Sequence, residues 1–428
     1  MVGTVRFRVS LAGLVLILAA TLAPAQELSF APFHPNGIYQ LGQRAGWTVT
    51  VPAGADQTMT KYTYVIKTNN RDVIQTGTLD FSSGSTTMET ALNEPAMLYV
   101  EVKPPAKDAV PIHLGAAIAP SKLRPSVPRP ADFDSFWDGK LKALSEVPIH
   151  PVLTPAPAGK DGVDLYTVKL DSLGSHVQGY LARPSKQGKL PALVIFQYAG
   201  VYALRPETVT DRAAEGWLAF DVDSHDMAPD QATGVSTSYY AIGNTSRETS
   251  YFLNMYLRDS RAIDYIASRP DWDGKTIVVM GTSMGGQQSL VAAALNPKVT
   301  AVIVNEPAGA DSNGDLHGRK EGYPNWPSDN PKAMETALYF DTVNFASQIK
   351  APVLAAVGFI DTTAPPAGIW TAFNQIPGPK EMISMMESDH NNRTPEKQDA
   401  YNARSKEVLG IVLAGGEFKP SEGGNRFQ

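Results

Sequence analysis

Thr276-Ile-Val-Val-Met-Gly-Thr-Ser-Met-Gly-Gly286 joins an apolar run to a G-x-S-x-G pentapeptide at 281–285. Apolar residues on both faces of a short run mark a strand buried in a parallel sheet. The stretch after it, 286–294, is rich in Gln, Ala and Leu and reads as a helix. A strand, a tight glycine turn and a helix in that order form an elbow that lifts a serine hydroxyl above a sheet. By itself a G-x-S-x-G pattern is weak, because Gly and Ser are common. The flanks give it meaning.

Working outward, the same rhythm continues. Leu190–Phe196, Trp217–Val222, Val299–Val304 and Pro352–Val357 are further apolar runs, and Tyr251–Ser268 between them is helical in pattern. Strands alternating with helices predict an α/β fold, a mostly parallel sheet covered by helices on both faces. Asp132–Leu144 reads as a leading helix, with Phe133, Phe136, Trp137, Leu141 and Leu144 on one stripe. Before it, Pro120, Pro125, Pro128 and Pro130 predict a stiff extended linker.

Residues 26–120 have a different period. Trp47 and Val49, Tyr62, Tyr64 and Ile66, and Leu98, Val100 and Val102 alternate with polar or opposite-face residues. Short alternating runs between turn-rich pieces predict a small immunoglobulin-like β-sandwich. The expected organisation is a signal segment at 1–25, a sandwich at 26–120 and a catalytic α/β domain at 121–428. The signal reading rests on Arg6 and Arg8, the apolar run Leu11–Leu22 and small residues ending at Ala25, where cleavage is expected. A run that short does not span a bilayer. The chain is therefore expected to be secreted or periplasmic, with no stable membrane association after cleavage.

Composition narrows the chemistry. The chain has 428 residues, 37 Lys and Arg, 43 Asp and Glu, a net charge of −6 and no Cys. Without Cys there are no disulfides, thiolate nucleophiles or Cys-ligated metals. No basic block stands out, so a nucleic-acid partner is not expected.

A serine hydroxyl needs a base to take its proton, usually a histidine oriented by a carboxylate. In this fold class the chain order is Ser, acid, His. Only His317 and His390 follow Ser283, and only His390 follows Asp361, which lies just beyond the run 352–359. The candidate catalytic set is therefore Ser283, Asp361 and His390. Asp389 and Asp341 are competing acids, and His317 reads as a surface or substrate-loop residue. For the oxyanion hole the candidates are the amides of Met284 and Val201, the latter in the loop Gln197–Tyr202. Tyr202, Tyr323 and Trp326 are candidate substrate contacts. Gly322-Tyr-Pro-Asn-Trp-Pro327 reads equally as a sugar-stacking wall or as packing under a long loop. Asp221-Val-Asp-Ser-His-Asp226 tempts a metal assignment but lacks a second His, so neither metal nor cofactor is expected. Arg258 and Arg261 read as structural ion-pair partners.

With these residues in hand, the chain resembles the acetyl xylan esterase / cephalosporin C deacetylase family, carbohydrate esterase family seven, over roughly 125–415. The resemblance is carried by Arg129-Pro-Ala-Asp-Phe-Asp-Ser-Phe-Trp137, Gln197-Tyr-Ala-Gly200, the 281–285 pentapeptide, Tyr339–Phe345, Gly358-Phe-Ile-Asp361 and Gly378-Pro-Lys380. It implies an α/β-hydrolase that removes acetyl groups from acetylated oligosaccharides or polysaccharides, with Ser283, Asp361 and His390 as its triad. It also implies assembly into a homo-oligomer, as in many members. Met284 stands where the family often has Gln, and Val201 where it often has Tyr. A serine peptidase or general carboxylesterase on the same fold, or an inert glycan-binding protein, are the other readings.

Overall fold

The computed structural model describes residues 28–51, 61–186, 188–421 and 425–427. The expected signal segment lies outside them.

The N-terminal β-region builds two sheets. Its strands are β1 (Ser29–Pro32), β2 (Ile38–Tyr39), β3 (Ala45–Thr50), β4 (Thr63–Thr68), β5 (Asp72–Thr78), β6 (Ser85–Thr90), β7 (Ala96–Lys103) and β8 (Ile112–Ile118). One sheet has the order β1-β3-β6 and the other β2-β8-β7-β4-β5. Alternation explains how they meet. Trp47, Val49 and Met88 from the first and Ile66, Leu98, Val100 and Val102 from the second are buried in one cluster. Tyr62 is buried there as well, and Tyr64 packs at its margin.

This region is not held at a distance by its proline joint. Ser126 donates from its amide and hydroxyl to Asp311, at 2.9 and 2.7 Å. Arg129 donates to the carbonyl of Asn344, and Asn374 to those of Pro120 and Leu123. The stiff linker expected from the prolines is a strap fastened along the larger unit. Met97, Ala117 and Leu123 enter that unit's main core. Gly115 packs so close to Phe359 that a Cβ there would lie 2.5 Å from the Phe359 Cβ.

The remaining elements are α1 (Phe133–Ser145), β9 (Val152–Ala156), β10 (Val163–Ser172), β11 (Ser175–Pro184), β12 (Leu190–Phe196), α2 (Glu207–Glu215), β13 (Leu218–Asp223), α3 (Tyr251–Ser268), β14 (Trp272–Thr282) and α4 (Met284–Leu295). They continue with β15 (Ala301–Asn305), α5 (Pro331–Ala337), α6 (Thr342–Ala346), β16 (Val353–Gly358), α7 (Pro366–Gln375), β17 (Lys380–Met385), α8 (Pro395–Leu413) and β18 (Asn425–Phe427). The strands form one sheet, β18-β17-β16-β15-β14-β12-β13-β11-β10-β9. Pairing is parallel from β13 through β12 to β18 and antiparallel from β13 through β11 to β9.

The apolar runs now have a cause. Along β14, Ile277 and Val279 face a cluster shared with α3, α4 and α7, while Val278 faces the opposite cluster shared with α2 and α8. Along β16, Val353, Ala355 and Val357 face the first cluster, and Leu354 and Ala356 the second. Both faces are covered, so the central stretches of these strands are apolar on both sides. Each fully buried aliphatic side chain stabilises by about 1.5–3 kcal/mol. Among the described residues no helix is long and apolar enough to cross a membrane.

Candidate active site

Ser283 stands between β14 and α4 with φ 58° and ψ −122°, a conformation that costs a non-glycine residue of order 1–3 kcal/mol. The glycines around it allow this. A Cβ on Gly281 would lie 2.3 Å from the carbonyl carbon of Gly285, and one on Gly285 would lie 2.1 Å from the carbonyl oxygen of Phe196. The elbow is therefore wedged against β12 with no room for a methyl group. Its backbone is also fixed by neighbours: the Ser283 amide donates to Asn305, and its carbonyl accepts from Ala308.

Ser283, Asp361 and His390 come together in one hydrogen-bonded chain. His390 Nδ1 is 2.7 Å from Asp361 Oδ2, and Nε2 is 2.8 Å from Ser283 Oγ. A carboxylate only accepts, so Nδ1–H donates to Asp361. That leaves Nε2 to accept from the Ser283 hydroxyl. Asp361 is 1% exposed. Its second oxygen accepts the amides of Thr363 and Ala364, both at 2.8 Å. All three residues follow the carboxyl ends of strands, β14, β16 and β17, where open α/β sheets carry their sites.

The competing acids are engaged elsewhere. Asp389 accepts the amides of Asn391 and Asn392 in its own loop. Asp341 accepts the amides of Asp311, Ser312 and Val343, and burial pushes its carboxyl up to about 7. His317 is exposed.

Met284 is the first residue of α4, so its amide sits at the positive end of that helix. Val201 lies in the loop after β12 and packs in the same cluster as Met284. Two unforeseen residues hold that loop. His225 Nε2 is 2.8 Å from the Gly200 carbonyl, and the Gly200 amide donates to the Tyr239 hydroxyl at 3.4 Å. The Tyr239 hydroxyl also meets that of Tyr323 at 2.6 Å, and both reach the Met284 sulfur, at 3.3 and 3.1 Å. Tyr239 thus links the two segments expected to form the oxyanion hole.

The segment Asp221–Asp226 serves this bracing. Asp223 accepts the amides of His225 and Met227. Burial pushes Asp223 up to about 6 and His225 down to about 4. Arg258 and Arg261 bond main-chain carbonyls, those of Ser224 for the first and of Leu144 and Val147 for the second. That corrects the ion-pair expectation: the guanidinia satisfy helix-end and loop carbonyls instead.

Of the candidate substrate contacts, Tyr202 stacks on Tyr198 with centroids 4.6 Å apart, and Tyr198 is 56% exposed. Tyr323 is half-buried against Met284. Trp326 is 7% exposed and lies parallel to Phe340 in an aromatic cluster with Phe252. It is a packing residue, which corrects the expectation of a sugar-facing ring.

Glu306, just after β15, was missed from sequence. With Asp361 and His390 it brings three metal-ligating atoms within 4.8 Å of one another. Protein donors already fill the carboxylate oxygens, however: Ser388 and Arg393 at Glu306, and Thr363, Ala364 and His390 at Asp361. The grouping suits proton handling better than cation binding.

The profile of the acetyl xylan esterase family matches residues 120–313 and 323–406, most of the chain. The chain belongs to the acetyl xylan esterase family. It is accordingly a carboxylic ester hydrolase. Acetyl esterase Axe7A of Xylanibacter ruminicola is 29% identical over 377 residues, covering 84% of this chain and 85% of that protein. The solved acetyl xylan esterase of a Paenibacillus species is 25% identical, with a TM-score of 0.60 over 67% of this chain and 98% of its own. Acetyl xylan esterase 1 of a Thermoanaerobacterium species shares the fold at 22% identity, with a TM-score of 0.57 over 69% of this chain and 96% of its own. Family membership and the α/β-hydrolase-like sheet agree with the resemblance drawn from the motifs.

Proposed function

We propose that this esterase removes acetyl groups from O-acetylated carbohydrates of the xylan type, with Ser283 as nucleophile, His390 as base and Asp361 as its orienting acid. The observation that carries the reading is the Ser283–His390–Asp361 hydrogen-bonded chain, with its serine on a strained turn at the start of α4. His390 takes the Ser283 proton as Oγ attacks the acetyl carbonyl. The resulting oxyanion rests on the amides of Met284 and Val201. The sugar hydroxyl leaves with the proton from His390, and water repeats the cycle on the acetyl-enzyme to release acetate.

The two N-terminal sheets, which share one core, support an immunoglobulin-like sandwich domain over 26–120 ahead of a catalytic domain over 121–428. Secretion to the periplasm or beyond follows from the signal-like segment ending at Ala25.

The test is acetate release from acetylated xylan and xylo-oligosaccharides beside an aryl acetate. Both are expected to turn over, with kcat falling by at least about a thousandfold in Ser283→Ala. Turnover of the aryl ester alone would make the protein a general carboxylesterase. Cleavage of amides in preference to esters would make it a peptidase.

A further inference from the structure

We propose that Glu306 is a positioning and charge-balancing residue for His390, its one buried carboxylate clamping both sides of the histidine loop and cancelling the Arg393 guanidinium beside the imidazole. The proposal deepens the triad reading and rests on it.

The clamp is geometric. Glu306 is wholly buried and has φ 45°, an uncommon conformation for a residue with a side chain. Its amide is fixed to the carbonyl of Ala356, on the strand that leads to Asp361. Its Oε1 accepts the Ser388 hydroxyl at 2.7 Å, and its Oε2 accepts Arg393 Nε at 2.8 Å. Ser388 and Arg393 bracket His390 in the loop. Gln398, from α8, adds a brace by donating to Ser388 Oγ at 2.6 Å, while its own oxygen accepts from Asn305. Asn305 also accepts the Ser283 amide through its carbonyl. One short segment, 305–306, therefore ties the nucleophile's backbone to the loop of its base. A histidine on a polar loop has no strand or helix of its own to aim it, and misplacement of about 1 Å costs up to about a hundredfold in rate.

The charge argument is separate. Arg393 Nη2 lies 3.5 Å from His390 Nδ1. Nδ1 already gives its proton to Asp361, so Arg393 cannot donate to it. The contact is a positive charge beside a ring that must itself become positive during catalysis. Left uncompensated, it would disfavour the imidazolium. Glu306 supplies the compensation. Burial, and then the charge of Asp361, raise the Glu306 carboxyl, while Arg393 opposes them.

The other charged groups around His390 are already paired. Asp389 bonds its own loop amides and lies 4.0 Å from Lys397 on α8. From the N-terminal sheet, Tyr99 and His113 sense Asp389 and Glu101. Tyr401, also on α8, sits near Arg393 and Glu306. Glu306 and Arg393 are thus the pair whose separation would change the field at the imidazole.

The experiment measures pH profiles of kcat/KM on an aryl acetate for wild type, Glu306→Gln, Arg393→Gln and the double variant. Loss of the negative charge in Glu306→Gln should move the acid limb down by about one pH unit. Its kcat should fall about tenfold with KM within about twofold. Arg393→Gln should move the limb up, and the double variant should return it to the wild-type position. Unmoved limbs in both single variants would overturn the proposal. If Glu306→Gln lacks the wild-type circular dichroism spectrum, Arg393→Gln decides alone: an upward shift supports the proposal and none overturns it. His390→Ala in the same assay separates the two readings. Retained activity would sink the triad and the clamp together, whereas lost activity with unmoved limbs would sink the clamp only.

Discussion

The hydroxyl of Tyr239 lies 2.6 Å from that of Tyr323, and both meet the sulfur of Met284, the residue after Ser283. Tyr239 also accepts the amide of Gly200, next to Val201. One hydroxyl therefore spans the two segments whose amides are proposed to hold the oxyanion. Tyr239→Phe keeps the ring and its packing but removes that link. A lost hydrogen bond of about 1–1.5 kcal/mol, felt at the transition state, lowers kcat by about tenfold. KM and melting temperature should stay near wild type. Steady-state kinetics on an aryl acetate checks this, and an unchanged kcat would show that the loop is held without Tyr239.

Gly285→Ala should be far more damaging than its chemistry suggests. The added methyl would lie 2.1 Å from the Phe196 carbonyl oxygen, with backbone on both sides of the contact. Overpacking of this kind costs about 1–3 kcal/mol or more. The strain falls on the elbow, so activity should drop further than the melting temperature indicates. Gly410→Ala is the matched control. It lies on the exposed side of α8 with nothing within 4 Å of the new methyl, and should stabilise by about 0.5–1 kcal/mol. Thermal melts and kcat for the two variants test the contrast.

The contrast between what the residues disclosed and what they hid follows the range of the interactions. The α/β sheet was legible because burial on both faces forces continuous apolar runs such as 276–280 and 352–357. The grouping of Ser283, Asp361 and His390 was legible because chain order left one histidine after the acid. Glu306 was not: its partners Ser388 and Arg393 lie more than eighty residues away, and no local period marks a buried carboxylate. The same holds for His225, whose Asp-rich surroundings resembled a cation site while its ring braces Gly200. Trp326 was ambiguous because an aromatic between prolines looks alike whether it faces solvent or Phe340. The proline strap was misread because proline reports backbone stiffness and says nothing of what Ser126 and Arg129 bind.

His225 also makes stability depend on pH. Burial lowers its pKa from 6.5 to about 4, only partly offset by its bond to the Gly200 carbonyl. The folded state prefers the neutral ring, so the unfolded chain binds more protons in this window. The contribution is fully present above pH 6.5 and is lost as pH falls through 4, by up to about 3 kcal/mol. Asp223 runs the other way. Burial raises it from 3.8 to about 6, so its contribution is lost as pH rises through 6. His225→Gln, whose amide can still donate to Gly200, removes only the acid-sensitive arm. Its melting temperature should fall less than that of wild type between pH 6.5 and 4.5. An identical fall in both proteins would show that His225 is charged in the fold.

Away from the site, Arg404 and Glu381 form a buried bidentate pair, Nε to Oε1 and Nη2 to Oε2, each at 2.9 Å. Their side chains are 6% and 0% exposed. The Ser421 amide donates to the same carboxylate, so the pair fastens the segment after α8 to β17. Removing Arg404 takes the bidentate partner from a buried carboxylate, and breaking such a pair costs about 3–5 kcal/mol. Arg404→Met should therefore lower the midpoint of urea unfolding strongly while leaving KM unchanged, since neither residue approaches Ser283. Adding Glu381→Gln to Arg404→Met removes the buried negative charge and should recover part of the loss. If the double variant is no more stable than Arg404→Met, the penalty lies in lost packing of the arginine stem and not in the buried charge of the carboxylate.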